Sequence, residues 1–174
     1  SFYFDIRKDV LYCDDLSSKK RKDCIVVLNI ILECLLKWMA PIFVFTTEEI
    51  FNLLNKNERS IHETVFPEIP NEWENNILIK KWEELYQIKQ EVNFAIEEKR
   101  TNKEIGSSLE ADVIIGVNEK KFKLLENLDL EEYFIASMVK KNKNQEEDKI
   151  KIEVKKSIGK KCTLCWKILD KKCE

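Results

Sequence analysis

Apolar positions in the first third of the chain recur at intervals of three and four. Cys24, Val27, Leu28, Ile31, Leu32, Leu35 and Leu36 make one wide stripe, the spacing of an amphipathic, core-forming helix. Ser17 or Ser18 can cap its start, because a serine hydroxyl accepts one of the amide hydrogens left unbonded in a first turn. Pro41 sets its end near Met39 and Ala40, since proline lacks an amide hydrogen and disfavours helical backbone in the preceding residue. Thr46 to Glu49 then offers a capping box, and Ile50, Phe51 and Leu54 carry an apolar face onward, so a second helix is expected there. Residues 56–76, with Pro67, Pro70 and several asparagines, read as an extended connection.

A longer helix is predicted from about Asn76 to Lys103, with Leu78, Trp82, Leu85, Val92, Ala95 and Ile96 on one side. Gly106-Ser107-Ser108 breaks it, and the period then changes. Ala111 to Val117 and Phe134 to Val139 are short β-branched runs, and Ile150, Ile152 and Val154 alternate as a half-buried strand does. A short helix is expected over Glu119 to Leu128, and residues 142–149 read as a loop. The expected fold class is therefore mainly α. A helical bundle over residues 1–108 is followed by a small α/β appendage over 109–158 and a cysteine-bearing tail over 159–174.

At 174 residues the chain can hold one domain with a good core or two small ones. Its longest apolar stretch, Cys24 to Leu36, is interrupted by Asn29 and Glu33 and is too short to cross a bilayer. No signal-peptide pattern opens it, so a soluble, cytoplasmic protein with no membrane partner is expected. The net charge of −2 hides an asymmetry: Lys140 to Glu174 holds twelve lysines against six acidic residues, which leaves −8 for residues 1–139. Positive charge beside an aromatic residue points to a polyanion, because lysine neutralises phosphate and an aromatic face stacks on an unpaired base. The bland reading, a solvated lysine-rich face, carries about equal weight.

The densest chemistry is in the tail, at Cys162-Thr-Leu-Cys165-Trp166 and Cys173. Two cysteines separated by two residues can turn both sulfurs toward one ion, and a structural zinc takes four such ligands. Cys162, Cys165 and Cys173 supply three, so the tail reads as a truncated zinc knuckle whose fourth ligand lies beyond Glu174. The start at Ser1, without an initiator methionine, likewise reads as a fragment of something longer. A redox dithiol is the alternative, but it calls for a strand-to-helix turn, and too few residues follow Cys165 to make that helix. Elsewhere His62 stands alone, and there is no glycine-rich phosphate loop, nucleophile elbow or His-Glu-X-X-His pair, so no catalytic residue is assigned.

Several ordered segments carry a resemblance. These are Phe2 to Asp9 with Leu11-Tyr12, Lys37-Trp38-Met39-Ala40-Pro41-Ile42, and Phe45-Thr46-Thr47-Glu48-Glu49-Ile50. Further along come Ser60-Ile61-His62 with Phe66-Pro67, Glu91-Val92-Asn93 with Ala95-Ile96-Glu97, Ile105 to Ala111, and Cys162-X-X-Cys165-Trp166. Together they resemble the C-terminal region of bacterial-type isoleucyl-tRNA synthetases, which are class I aminoacyl-tRNA synthetases.

The resemblance implies an anticodon-binding helical bundle, a small α/β element and a zinc module that reaches the anticodon. It implies tRNA(Ile) and the remaining domains of the synthetase as partners. Adenylation with ATP and transfer of isoleucine belong to a separate Rossmann-type core, whose signature motifs are missing from these residues. Seven residues between Cys165 and Cys173 are few for the family, a departure that bears on the zinc ligand set. Single-stranded RNA is read by stacking its bases on aromatic or guanidinium planes while lysine and arginine hold phosphates. The candidate RNA contacts are Arg7, Lys8, Lys19, Lys20, Arg21 and Lys22 in the first half and Lys160, Lys161, Trp166 and Lys167 in the tail. For Trp166 the competing expectation is packing against its own knuckle. Three other readings stay open: the same region of a valyl, leucyl or methionyl synthetase, a helical interaction module with a structural zinc knuckle, and a thiol redox protein.

Overall fold

The structure, a computed structural model, describes residues 2–54, 59–144 and 149–169. Helices α1 (Phe2–Ile6), α2 (Lys8–Tyr12), α3 (Lys19–Met39), α4 (Val44–Leu54) and α5 (Asn76–Thr101) come first. Strand β1 (Ala111–Val117), helices α6 (Glu119–Leu124) and α7 (Leu130–Phe134), and strands β2 (Met138–Lys143), β3 (Lys151–Lys156), β4 (Lys160–Lys161) and β5 (Ile168–Leu169) follow. The chain forms two compact units, one of Asp14–Glu74 and one of Ser1–Cys13 with Asn75–Glu174.

In the smaller unit the Ser18 hydroxyl accepts the Arg21 amide at 3.4 Å and caps α3. The helix ends at Met39 as Pro41 requires, although Ala40 keeps helical backbone (φ −53°, ψ −41°). The Ile42 and Phe43 amides then close a turn on the Met39 carbonyl at 2.9 and 2.8 Å. Because the Thr47 amide and hydroxyl both reach the Phe43 carbonyl, at 2.9 and 2.8 Å, α4 starts at Val44. Thr46 is therefore inside the helix, and the expected capping box does not form. Glu48 instead accepts the Ser60 hydroxyl at 2.8 Å and the Ile61 amide at 2.9 Å, two bonds that hold its carboxyl below its ordinary value and fasten the connection to α4. Leu36, Ala40 and Ile61 form the small core with Leu32, Ile50 and Phe51 against it, while Val27 and Leu35 of the expected stripe are exposed.

In the larger unit the Asn75 side chain accepts the Leu78 amide at 2.9 Å and starts α5. This helix buries Leu85, Ile88, Val92 and Ile96 in one core with Ala111, Val113, Ile115 and Val117 of β1. Strand β1 is central in a sheet of order β2-β1-β3, parallel to β2 and antiparallel to β3. Alternate β1 residues face the core, the period-two pattern of a half-covered strand.

These facts overturn the expected fold class, a mainly α bundle followed by a separate α/β appendage and a truncated zinc knuckle. Helix α5 is part of the same core as the mixed sheet, and α1 and α2 belong to that unit as well. The described part of the cysteine tail, residues 159–169, forms a two-stranded antiparallel ribbon, β4 with β5. Among the described residues no three His, Cys, Asp or Glu side chains gather to hold a metal. Hydrophobic period reveals which face of an element is apolar, and it is silent about which neighbour covers that face. The strand expected over Phe134–Val139 is also corrected. Phe134 ends α7, Ile135 takes a left-handed turn (φ 56°), and β2 begins only at Met138 and runs to Lys143. A parallel partner of β1 requires the chain to reverse first, and α6, α7 and this turn do so.

Candidate nucleic-acid interface

The ribbon of β4 and β5 carries Trp166 at its turn. Lys160 pairs with Leu169 and Lys161 with Ile168, and between them the Cys162 amide donates to the Lys167 carbonyl at 2.8 Å. The Trp166 amide returns to the Cys162 carbonyl at 3.1 Å, with Trp166 in left-handed backbone (φ 64°). A bulky residue rarely adopts that conformation, and here it leaves the indole 61% exposed. Lys160, Lys161 and Leu164 are exposed around it. Gly159 opens the ribbon at φ 151°, where an added Cβ would meet the Leu169 carbonyl at 2.8 Å, so the two strands approach this closely because no side chain intervenes.

Cys162 and Cys165 are both buried within this turn. Soft sulfurs on a Cys-X-X-Cys turn are of the type that zinc takes, and such a pair could supply two of four tetrahedral ligands. Cys173, the expected third ligand, lies outside the described residues.

The other candidate contacts divide by what already holds them. Lys167 donates to Asp9 of α2 at 3.0 Å. Burial lowers the Lys167 ammonium, and the Asp9 bond, with the charges of Asp9, Asp129 and Cys165, outweighs burial and raises it above its ordinary value. Arg7 donates to Glu132 at 2.7 Å and lies over the Tyr3 ring, so its guanidinium ties α1 and α2 to α7. Lys8 pairs on the surface with Asp5 at 3.0 Å. In the smaller unit Lys19, Lys20 and Lys22 are exposed on the first turn of α3, while Arg21 reaches back to the Asp14 carbonyl at 3.4 Å. The larger unit thus gathers Lys160, Lys161 and Trp166 on one ribbon and uses Arg7 and Lys167 as fasteners.

Sequence reasoning missed Ser137. Its side chain accepts the Ile168 amide at 2.7 Å and donates to the Leu109 carbonyl at 2.5 Å, so a buried serine moors the ribbon to the sheet unit. Nothing in local sequence marks it, because both partners are main-chain groups about thirty positions away.

A family model described as the anticodon-binding domain of tRNA ligase matches residues 1–115. The chain belongs to that family. The isoleucine-tRNA ligase of Pelagibacter ubique is 52% identical over all 174 residues. That of Agrobacterium fabrum is 38% identical over 97% of the chain, and that of Methylacidiphilum infernorum 39% identical over 96%. The match is to the C-terminal region of these ligases. The chain spans about a fifth of the length of the curated relatives it matches, 19% of the first and 18% of the other two. The anticodon-binding segment of the family match ends within β1, so β2, β3 and the Trp166 ribbon lie outside it and fall within the length matched by the Pelagibacter ubique isoleucine-tRNA ligase.

Proposed function

We propose that this anticodon-binding chain is the part of an isoleucine-tRNA ligase that grips the anticodon arm of tRNA(Ile), in the cytoplasm. Attachment of isoleucine with ATP would fall to the other four-fifths of such a ligase, with which this chain would be continuous. The observation that carries the reading is Trp166, held open on a turn that also carries Cys162 and Cys165 and is entered from the exposed Lys160 and Lys161. An exposed indole offers a stacking plane to a splayed loop base, and Lys160 and Lys161 offer charge to the flanking phosphates. Cys162 and Cys165 would give two of the ligands of a structural zinc, whose chemistry there is to brace the turn.

The test is titration of the chain with tRNA carrying the isoleucine anticodon and with tRNA carrying another, across a range of salt. A preference of about tenfold or more for the isoleucine anticodon, on top of a salt-dependent component common to both, is the expected result. Absence of binding to either would favour a helical interaction module with no RNA role.

A further inference from the structure

Opposite the β3 edge, strand β2 and helix α6 bring together five lysines that no motif singled out: Lys120, Lys121 and Lys123 on α6, Lys141 and Lys143 on β2. Phe122 lies among them. The Lys141 ammonium stands 4.7 Å from its ring centroid and the Lys143 ammonium 5.2 Å, and Lys141 also donates to the Leu125 carbonyl at 3.2 Å. These contacts hold two long cationic chains in place, which lowers the ordering cost of engaging an anion. Glu84 and Glu119 answer Lys120 and Lys143 through exposed pairs at 3.1 and 2.7 Å. Such pairs are weak and exchange readily for a phosphate.

We infer that the α6–β2 edge is a second RNA contact, which grips the phosphate backbone of a base-paired stem without reading sequence. The inference rests on the tRNA reading above and adds a surface to it. Charge decides the class of partner. Five lysines meet two paired glutamates and the Glu131 carboxylate that accepts the Val139 amide of β2, within a chain whose overall charge is −2. Chemistry also disfavours a protein or a membrane: among the large apolar side chains of α6 and β2 only Met138, at the start of β2, is exposed, at 39%. A protein interface centres on exposed apolar anchors and is depleted in lysine, and a membrane-binding face needs apolar groups to insert. A phosphate backbone needs only positioned cations.

The experiment compares the chain with a Lys120→Gln/Lys123→Gln/Lys143→Gln variant and with a control of equal charge change at the opposite sheet edge, Lys151→Gln/Lys155→Gln/Lys156→Gln. The probe is tRNA with the isoleucine anticodon and with another, titrated from low to moderate salt. The α6–β2 variant should bind both tRNAs more weakly by a similar factor and reduce the salt slope by about one for each phosphate it no longer neutralises. Its anticodon preference should be unchanged, and its thermal melting should match the wild type. An unchanged slope, or an equal weakening in both variants, overturns the inference and leaves the anticodon reading intact. If the wild-type chain binds no tRNA, the anticodon reading falls first and this one with it.

Discussion

The Ser137 hydroxyl oxygen lies 2.7 Å from the Ile168 amide nitrogen, and this bond joins the start of β2 to the strand that follows Trp166. Ser137 is 6% exposed, so its removal would leave both the Ile168 amide and the Leu109 carbonyl without their partner. Ser137→Ala is expected to cost about 1–3 kcal/mol in urea denaturation. It should also blunt anticodon preference while leaving the salt slope of tRNA binding in place, because the ribbon is less well held and the lysines are untouched. Full retention of preference would show that the ribbon needs no mooring.

Arg7 separates a fastening role from an RNA role. Its partner Glu132 is 8% exposed, so Arg7→Ala takes a 2.7 Å ion-pair partner from a carboxylate buried on α7. The expected result is a drop of about 3 kcal/mol in stability, read from the denaturation midpoint. Arg7→Ala with Glu132→Gln should recover much of it. If the double variant is no more stable than the single one, the ion pair is not what Arg7 contributes.

Lys89 gives the larger unit a pH signature. It is 6% exposed, donates to the Tyr133 carbonyl at 2.5 Å, and has the Phe2, Tyr133 and Phe134 rings within 6.0 Å of its ammonium. Burial pushes its pKa down to about 8, against a partial upward pull from Asp5. The unfolded chain therefore holds this proton to higher pH than the folded one does, and stability rises as pH increases from about 8 toward the ordinary lysine value. The gain should approach about 3 kcal/mol at most. Lys89→Met should remove that rise when thermal melts are compared across the window, and a parallel pH profile in the two proteins would contradict it.

Zinc is tested through its ligands. Cobalt(II) added to the reduced chain in place of zinc should produce a thiolate charge-transfer band that weakens in Cys162→Ser and in Cys165→Ser and is reversed by a chelator. A band indifferent to both substitutions would remove these two sulfurs from any metal site.

The elements with strong local signals were legible in sequence: Ser18 before α3, the apolar side of α5, and the β-branched run of β1, each set by nearby residues. What was hidden depends on distant partners. The Thr46 box failed because Phe43 had already opened the helix, and Glu48 was drawn to Ser60 and Ile61. Ile135 in left-handed backbone has no sequence mark, since glycine or asparagine is the usual residue there. Of the candidate contacts, Lys160, Lys161 and Trp166, neighbours in sequence, lie on one ribbon that the sequence reading did not foresee, and the engagement of Arg7 by Glu132 and of Lys167 by Asp9 likewise becomes visible only in three dimensions.

The central claim is that Trp166 presents a stacking face to an anticodon base. The direct measurement is equilibrium binding of wild-type chain and Trp166→Ala to the isolated anticodon stem-loop of tRNA(Ile) and to the same stem with a different loop sequence. The wild type should prefer the isoleucine loop, and Trp166→Ala should forfeit about 1–3 kcal/mol of binding to that loop while holding the other about equally. Equal affinity of the wild type for both loops, or an unaltered preference without the indole, would contradict it.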